Sequence, residues 1–188
     1  MSLSARDKRT RLVDAGARLV HQQGFHRTTL ADVAETSRVP LGNVYYYFKT
    51  KEALGEAVIE QYVSQYESLR STWDAKPNPK ARLKAFIQAS VDNPEVLARS
   101  GCPLATLSSE LRKDNGHLAD CATRLFADAL AWIEKQFRQL GKSKGEARAL
   151  AVHLLSAVEG AAVLSHNSGT PKYAVQEAKL LREWIETL

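Results

Sequence analysis

The chain of 188 residues holds only two cysteines, and neither supports metal or disulfide chemistry. Cys102 and Cys121 fit no zinc-ligand spacing and no disulfide framework, so reduced thiols are expected. No apolar run looks long enough to cross a bilayer, and the N-terminal stretch MSLSARDKRTR lacks the apolar segment of a secretory signal. A cytoplasmic protein is therefore expected. Strand-like alternation is missing and β-branched residues are scattered, which argues against a sheet. No paired carboxylates, metal-ligand cluster or nucleophile–base arrangement stands out. His153, Glu159 and His166 are too isolated in sequence to make an acid–base pair or a metal site. The expectation is thus no enzyme, no metal and no cofactor. No internal repeat or low-complexity segment is visible.

What is present is charge in one place. The net charge is +5. Residues 1–51 carry nine bases (Arg6, Lys8, Arg9, Arg11, Arg18, Arg27, Arg38, Lys49, Lys51) against four acids (Asp7, Asp14, Asp32, Glu35). The remaining residues balance, with seventeen of each sign. A polyanion held by the first quarter of the chain is the economical reading, since phosphate contacts dominate affinity for nucleic acid. A solvated basic surface without a partner is the alternative.

Periodicity predicts an all-α fold of about nine helices. The first runs from Ala5 to Gln23 and stops at Gly24, a residue tolerant of left-handed backbone. Thr28 and Thr29 are N-cap candidates for a short second helix over 30–36. A third begins near Pro40, whose fixed φ suits a first turn, and ends near Phe48. Thr50 caps a fourth, with Glu52 in its first turn, that reaches about Asp74. Further helices are expected over 80–91, around Leu104 to Leu111, and over 117–140, 143–166 and 172–187. The breaks fall at residues 75–79, 92–94, 99–103, 114–116 and 167–171.

Three helices, the second and third joined tightly, match a helix-turn-helix. Val33, Ala34, Val39, Val44 and Phe48 fall where its small core needs apolar groups. The third helix carries Tyr45, Tyr46 and Tyr47 in succession. Neighbours on a helix are about 100° apart, so they cannot all face inward. One or two must offer a hydroxyl to something outside, and a phosphate or base edge is a natural acceptor.

The run GFHRTTLADVAETSRVPLGNVYYYFKTKEAL, from Gly24 to Leu54, resembles the DNA-binding signature of the TetR family of repressors. Gly24-Phe25, Thr28-Thr29, Val33-Ala34, Val44-Tyr45, Phe48 and Lys51-Glu52 match its spacing. The rest of the chain fits that family in length and helical pattern only. The resemblance implies a helix-turn-helix domain at 1–51 and a ligand-binding and dimerisation domain at 52–188. It also implies a homodimer that binds a near-palindromic operator and is released by a small-molecule inducer. Thr28 and Thr29 would hold a phosphate at the start of the second helix, or serve only as caps. Leu41 would touch a thymine methyl, Gly42 would let the backbone approach, and Asn43 would read adenine. Tyr45, Tyr46 and Tyr47 would contact phosphate and base edges, and Lys51 would clamp backbone phosphate. Where that family usually has a turn glycine, two residues before the third helix, this chain has Arg38. A non-glycine residue at positive φ costs on the order of 1 kcal/mol, so the turn is either relaxed or compensated. Arg38 is a phosphate ligand or an exposed turn residue.

In the body, Tyr62, Tyr66, Phe86, Cys102, Phe126 and His153, with Trp132, are candidates to line an effector cavity between helices, or are plain core. Cys102 follows Gly101, and the pair resembles a subgroup that senses electrophiles or oxidants; an ordinary pocket-wall cysteine is the alternative. Leu150, Leu154, Ala157, Ala161 and Leu164 on one helix, with Leu181, Trp184 and Ile185 on the last, form stripes suited to a dimer face. A small helical enzyme and a helical protein adaptor are competing readings.

Overall fold

Gly24 takes a φ of +90°, and its N–H closes onto the Val20 carbonyl at 3.0 Å, ending helix α1 (Ala5–Gln23) where glycine was expected to end it. The computed structural model describes residues 5–114 and 116–188. The expectations that touch Met1–Ser4 and Asn115 lie outside the described residues.

Among the described residues every regular element is a helix. After α1 come α2 (Leu30–Ser37), α3 (Leu41–Tyr47), α4 (Lys51–Asp74), α5 (Pro79–Ala89), α6 (Pro94–Ser100), α7 (Pro103–Leu111), α8 (His117–Gln139), α9 (Lys144–Ser168) and α10 (Lys172–Thr187). The all-α fold is as expected. The helix beyond the expected nine is α6, which begins at a proline expected only to mark a break. Pro94 instead opens the helix, at a position whose N–H needs no partner within it. Gly101, at φ +73°, closes it with an N–H to Leu97 O of 2.8 Å.

Two compact units result. One comprises Met1–Gln65 and Pro103–Thr123; the other comprises Tyr66–Cys102 and Arg124–Leu188. The first therefore extends well past the boundary expected at 51/52. It takes in the start of α4, where Leu54, Ala57, Val58, Ile59 and Tyr62 are buried. Gly55 lies so close beneath Phe25 that a Cβ there would meet Phe25 Cε2 at 2.8 Å.

The second unit is organised by Trp73, which meets Phe86 edge-on at 5.4 Å and Trp132 at 5.3 Å. Around these lie the fully buried Leu83, Ile87, Ile133, Phe137, Leu154 and Ile185. Burial of each such side chain stabilises the fold by about 1.5–3 kcal/mol. Trp132 Nε1 donates to Asp74 Oδ1 at 2.9 Å, so the indole dipole is not left unpaired.

Helix α9 departs from the expectation that no stretch could span a bilayer. Among the described helices it alone is long and apolar enough by length and composition. Its apolar residues serve two faces: Ala147, Ala151, Leu154, Leu155, Val158, Ala161 and Ala162 are buried, whereas Val152, Val163 and Leu164 are exposed.

Candidate nucleic-acid interface

Helix α2 begins at Thr29, whose extended φ of −111° lets its hydroxyl oxygen accept the N–H of Asp32 at 3.1 Å. Asp32 Oδ2 returns the bond to the Thr29 N–H at 2.9 Å, completing a capping box. The Thr29 N–H, with the Thr29 side chain, holds the Asp32 carboxyl below its ordinary range. Thr29 is exposed, and its hydroxyl also bonds the Asp32 side chain. Thr28 is different. It is 1% exposed, and its hydroxyl donates to Gly24 O at 2.8 Å. The structure withdraws Thr28 from any phosphate, because its donor is used to close the α1–α2 turn.

Between α2 and α3 the chain turns through Arg38, at φ +55° and ψ +38°, the single non-glycine residue at positive φ among the described residues. The turn is therefore not relaxed. The Arg38 N–H reaches Glu35 O at 3.0 Å, and the Val39 N–H reaches Ala34 O at 3.0 Å. This is a C-cap of the kind that usually employs glycine. The compensation comes from α1: Arg11 Nη2 donates to Ser37 O and lies 3.5 Å from Arg38 O. Arg38 itself projects from the surface.

Helix α3 and its C-cap, Phe48, divide into an inner and an outer face. Val44 and Phe48 are buried, while Leu41, Gly42 and Tyr45 are exposed and Tyr46 is 74% exposed. Asn43 and Tyr47 are half-buried. Tyr47 meets Tyr46 edge-on, with ring centroids 5.1 Å apart, which steadies the outer ring. Arg9 covers the Phe48 ring at 5.5 Å and brings a base from α1 to this end of α3.

Lys51 does not stand free. Its Nζ donates to Phe25 O at 3.2 Å and His26 O at 3.0 Å, and lies 4.8 Å from the Phe25 ring centroid. Two of its three N–H donors are used in the turn, which leaves one for a phosphate. The N–H groups of the same two residues, Phe25 and His26, each donate at 2.7 Å to the carboxylate of Glu110 on α7. No sequence motif marks Glu110. It is an ordinary surface carboxylate until the fold brings it across 85 residues of chain to Phe25.

The same unit carries an open cleft of about 790 Å³ whose lining includes Arg11, Asp14, Arg18, Arg38 and Tyr62. Tyr62, expected in an effector cavity, belongs to this cleft and donates its hydroxyl to Ala17 O at 3.2 Å. The other candidates lie in the second unit and play different parts. Phe86 belongs to the aromatic core, with Tyr66 and Phe126 packed at its margin. Burial pushes the Tyr66 hydroxyl up to about 12, and its oxygen has no hydrogen-bond partner among the described residues. His153 is exposed and rests edge-on against Trp184 at 5.1 Å. Cys102 donates to Glu159 Oε1 at 3.5 Å, and burial raises the Glu159 carboxyl above its ordinary value. Glu159 Oε2 is buried and unpartnered among the described residues. Arg99, the nearest cation in sequence, is exposed.

The expected dimer stripe is corrected in part. Leu154, Ala161, Leu181 and Ile185 are buried inside the chain's own core. Leu150, Ala157 and Trp184 are half-buried against that core. Leu164, 57% exposed, is the one member of the set on open surface. The exposed apolar face runs instead through Val152, Val163 and Leu164 on α9, with Ser156 and Gly160 between them, and through Tyr173 and Leu180 on α10.

Two family models match the chain. Residues 12–58 match bacterial regulatory proteins of the tetR family. Residues 79–173 match the C-terminal domain of LmrA/YxaF-like transcriptional regulators. The chain is 26% identical over 178 residues to the HTH-type transcriptional regulator YxaF of Bacillus subtilis, covering 91% of this chain and 92% of that protein. It is 32% identical over 111 residues to the HTH-type transcriptional repressor NemR of Escherichia coli, covering 56% of this chain and 54% of that one. Among solved structures, a TetR transcriptional regulator from Legionella pneumophila superposes with a TM-score of 0.85 at 19% identity, covering 100% of this chain and 98% of that one.

Proposed function

Because the chain belongs to the TetR family of DNA-binding transcriptional regulators, we propose that it is a repressor whose homodimer binds a near-palindromic operator and releases it when a small molecule enters the second unit. The observation that carries the reading is the division of α3. Val44 and Phe48 anchor it to the head, while Leu41, Gly42, Tyr45 and Tyr46 are turned outward, with Arg38 exposed in the preceding turn and Arg9 over the Phe48 ring. Asn43 and Leu41 read base edges in the major groove, as adenine and thymine allow. Tyr45, Tyr46, Tyr47, Thr29, Arg38 and the remaining donor of Lys51 hold phosphates and set the register.

A single head makes few contacts, and two-fold pairing matches two half-sites about one helical turn apart. The exposed apolar face of α9 and α10 supports that pairing, since such a face rimmed by polar residues marks an association surface. For the effector, support comes from the buried Tyr66 Oη and Glu159 Oε2, which have no hydrogen-bond partner among the described residues and which a ligand can satisfy. Ligand then shifts the population toward a conformer in which the two α3 helices no longer fit successive grooves. Helix α4, shared by the two units, is the element suited to carry that shift.

Selection of duplexes from a random-sequence pool by the full-length protein tests the reading. The expected product is a near-palindrome bound by two chains. Recovery of no preferred sequence, with binding set only by ionic strength, overturns it.

A further inference from the structure

Two consecutive residues in the α1–α2 turn are gripped through their backbone N–H and C=O groups by opposite charges, and the peptide group between them is held at both ends. Lys51 of α4 donates to the carbonyls of Phe25 and His26 at 3.2 and 3.0 Å. Glu110 of α7 accepts the N–H groups of the same residues, both at 2.7 Å. Such charge-assisted bonds are short and about twice as strong as neutral ones. The grip also explains the glycine beside it. A Cβ on Gly24 would stand 3.0 Å and 3.2 Å from the two Glu110 carboxylate oxygens, at a φ of +90°. A second contact lies close by, where His26 Nε2 meets Asp114 Oδ2 at 3.1 Å, three residues beyond the end of α7.

What is gripped matters for DNA. The turn leads directly into Thr28, whose hydroxyl returns to Gly24 O, and into Thr29, which caps α2. The angle at which α2 leaves α1 sets where α3 stands, because α2 and α3 are joined by the tight turn at Arg38. Lys51 belongs to the family signature; Glu110 lies far outside it, on the helix that opens immediately after Cys102.

We infer that Glu110 is a positioning residue for DNA binding: by holding the Phe25 and His26 N–H groups it fixes the recognition helix, and it makes operator affinity depend on where α7 lies. The inference rests on the DNA-binding reading above. It assigns to α7 a direct hold on the head, separate from the path along α4.

The test compares full-length wild type with Glu110→Gln and Glu110→Asp. The duplex is the one selected by the wild-type protein. Gln offers one acceptor oxygen and turns an amide N–H₂ toward the second N–H. Asp keeps the charge but draws it back by one methylene. Affinity is expected to fall tenfold or more for Gln and by an intermediate amount for Asp. Amide hydrogen exchange at Phe25 and His26 is expected to accelerate in the same order, while that of α9 and α10 stays as in wild type. Equal affinity in all three proteins overturns the inference even if the exchange at the turn accelerates, since Glu110 then only caps the turn. Unchanged exchange at Phe25 and His26 overturns it as well. Should Gln prevent folding, the Asp protein carries the comparison. Failure of the wild type to select any duplex is a separate result, and it bears on the DNA-binding reading instead.

Discussion

Arg11, on the first helix, donates its guanidinium to the carbonyl of Ser37, the residue before the left-handed Arg38. A turn that glycine would make without strain is thus made here by arginine, with a second arginine holding it from behind. The strain and its compensation can be separated.

Arg38→Gly relieves a positive φ that costs an L-residue about 1–2 kcal/mol, less the roughly 0.5–1 kcal/mol of extra chain freedom that glycine brings. The expected result is a modest rise in the thermal midpoint, about 1–3 °C for a chain of this size. The salt slope of DNA binding is expected to fall by about one if Arg38 neutralises a phosphate. Arg11→Met should lower the midpoint by a similar amount, since it leaves the Ser37 carbonyl without its donor. A midpoint that falls for Arg38→Gly contradicts the strain account.

Tyr46 and Thr28 distinguish contact from support. Tyr46→Ala is expected to weaken binding to the selected duplex while changing stability by no more than about 0.5 kcal/mol, as exposed positions do. Thr28→Ala should cost about 1 kcal/mol of stability through the lost bond to Gly24 and leave the salt slope unchanged. Asn43→Ala should relax preference at one base pair, worth about 1–3 kcal/mol of discrimination. Calorimetry and salt titrations of the three proteins are the measurements.

On α9 the two faces call for opposite results. Val163→Asp puts a charge on the exposed apolar face, and sedimentation should show a folded monomer that no longer binds the operator. Leu154→Ala opens a cavity in the core and should cost about 2–5 kcal/mol while leaving association intact. Exchange of these two outcomes would return the dimer face to the stripe first expected.

The Glu159 carboxyl gives a pH signature. Burial raises its native value, so the native state binds more protons and stability falls as pH rises from 4.5 through the native value. Glu159→Gln should flatten that slope and raise stability near neutral pH. Two capping carboxylates act in the other sense: Asp32, and Glu146, which accepts the Ser143 N–H at 2.9 Å in the capping box that opens α9. Both are lowered by their N-cap partners, so their contribution is present above their ordinary values of 3.8 and 4.5 and is lost as pH falls below them. Urea titrations of wild type and the Gln variant between pH 3 and 8 (about the range in which carboxylates and histidines titrate) decide the matter.

The head was legible because its signals are local. Gly24 stops a helix, Thr29 caps the next, and Pro40 precedes the third, each within a few residues of the structure it dictates. The three tyrosines followed from helical spacing alone, and none of them is buried. What the sequence concealed depends on distance along the chain. Glu110 reveals nothing until it meets Phe25. Leu154 and Val163 lie on one helix and are both apolar, so periodicity could not tell which of them the chain buries in its own core. Pro94 has the same ambiguity at short range, since proline breaks a helix from within and opens one from its first turn.

The head is assembled from Met1–Gln65 together with Pro103–Thr123, and this has a consequence for how it is made and moved. A ribosome that has delivered the signature, the recognition helix and Lys51 has not yet delivered Glu110, so the turn at Phe25 is held from one side only until α7 emerges. A graft that carries residues 1–51 alone into another regulator would arrive with half its grip missing. The transplantable module is discontinuous, and a swap of operator specificity should carry α7 along with the head.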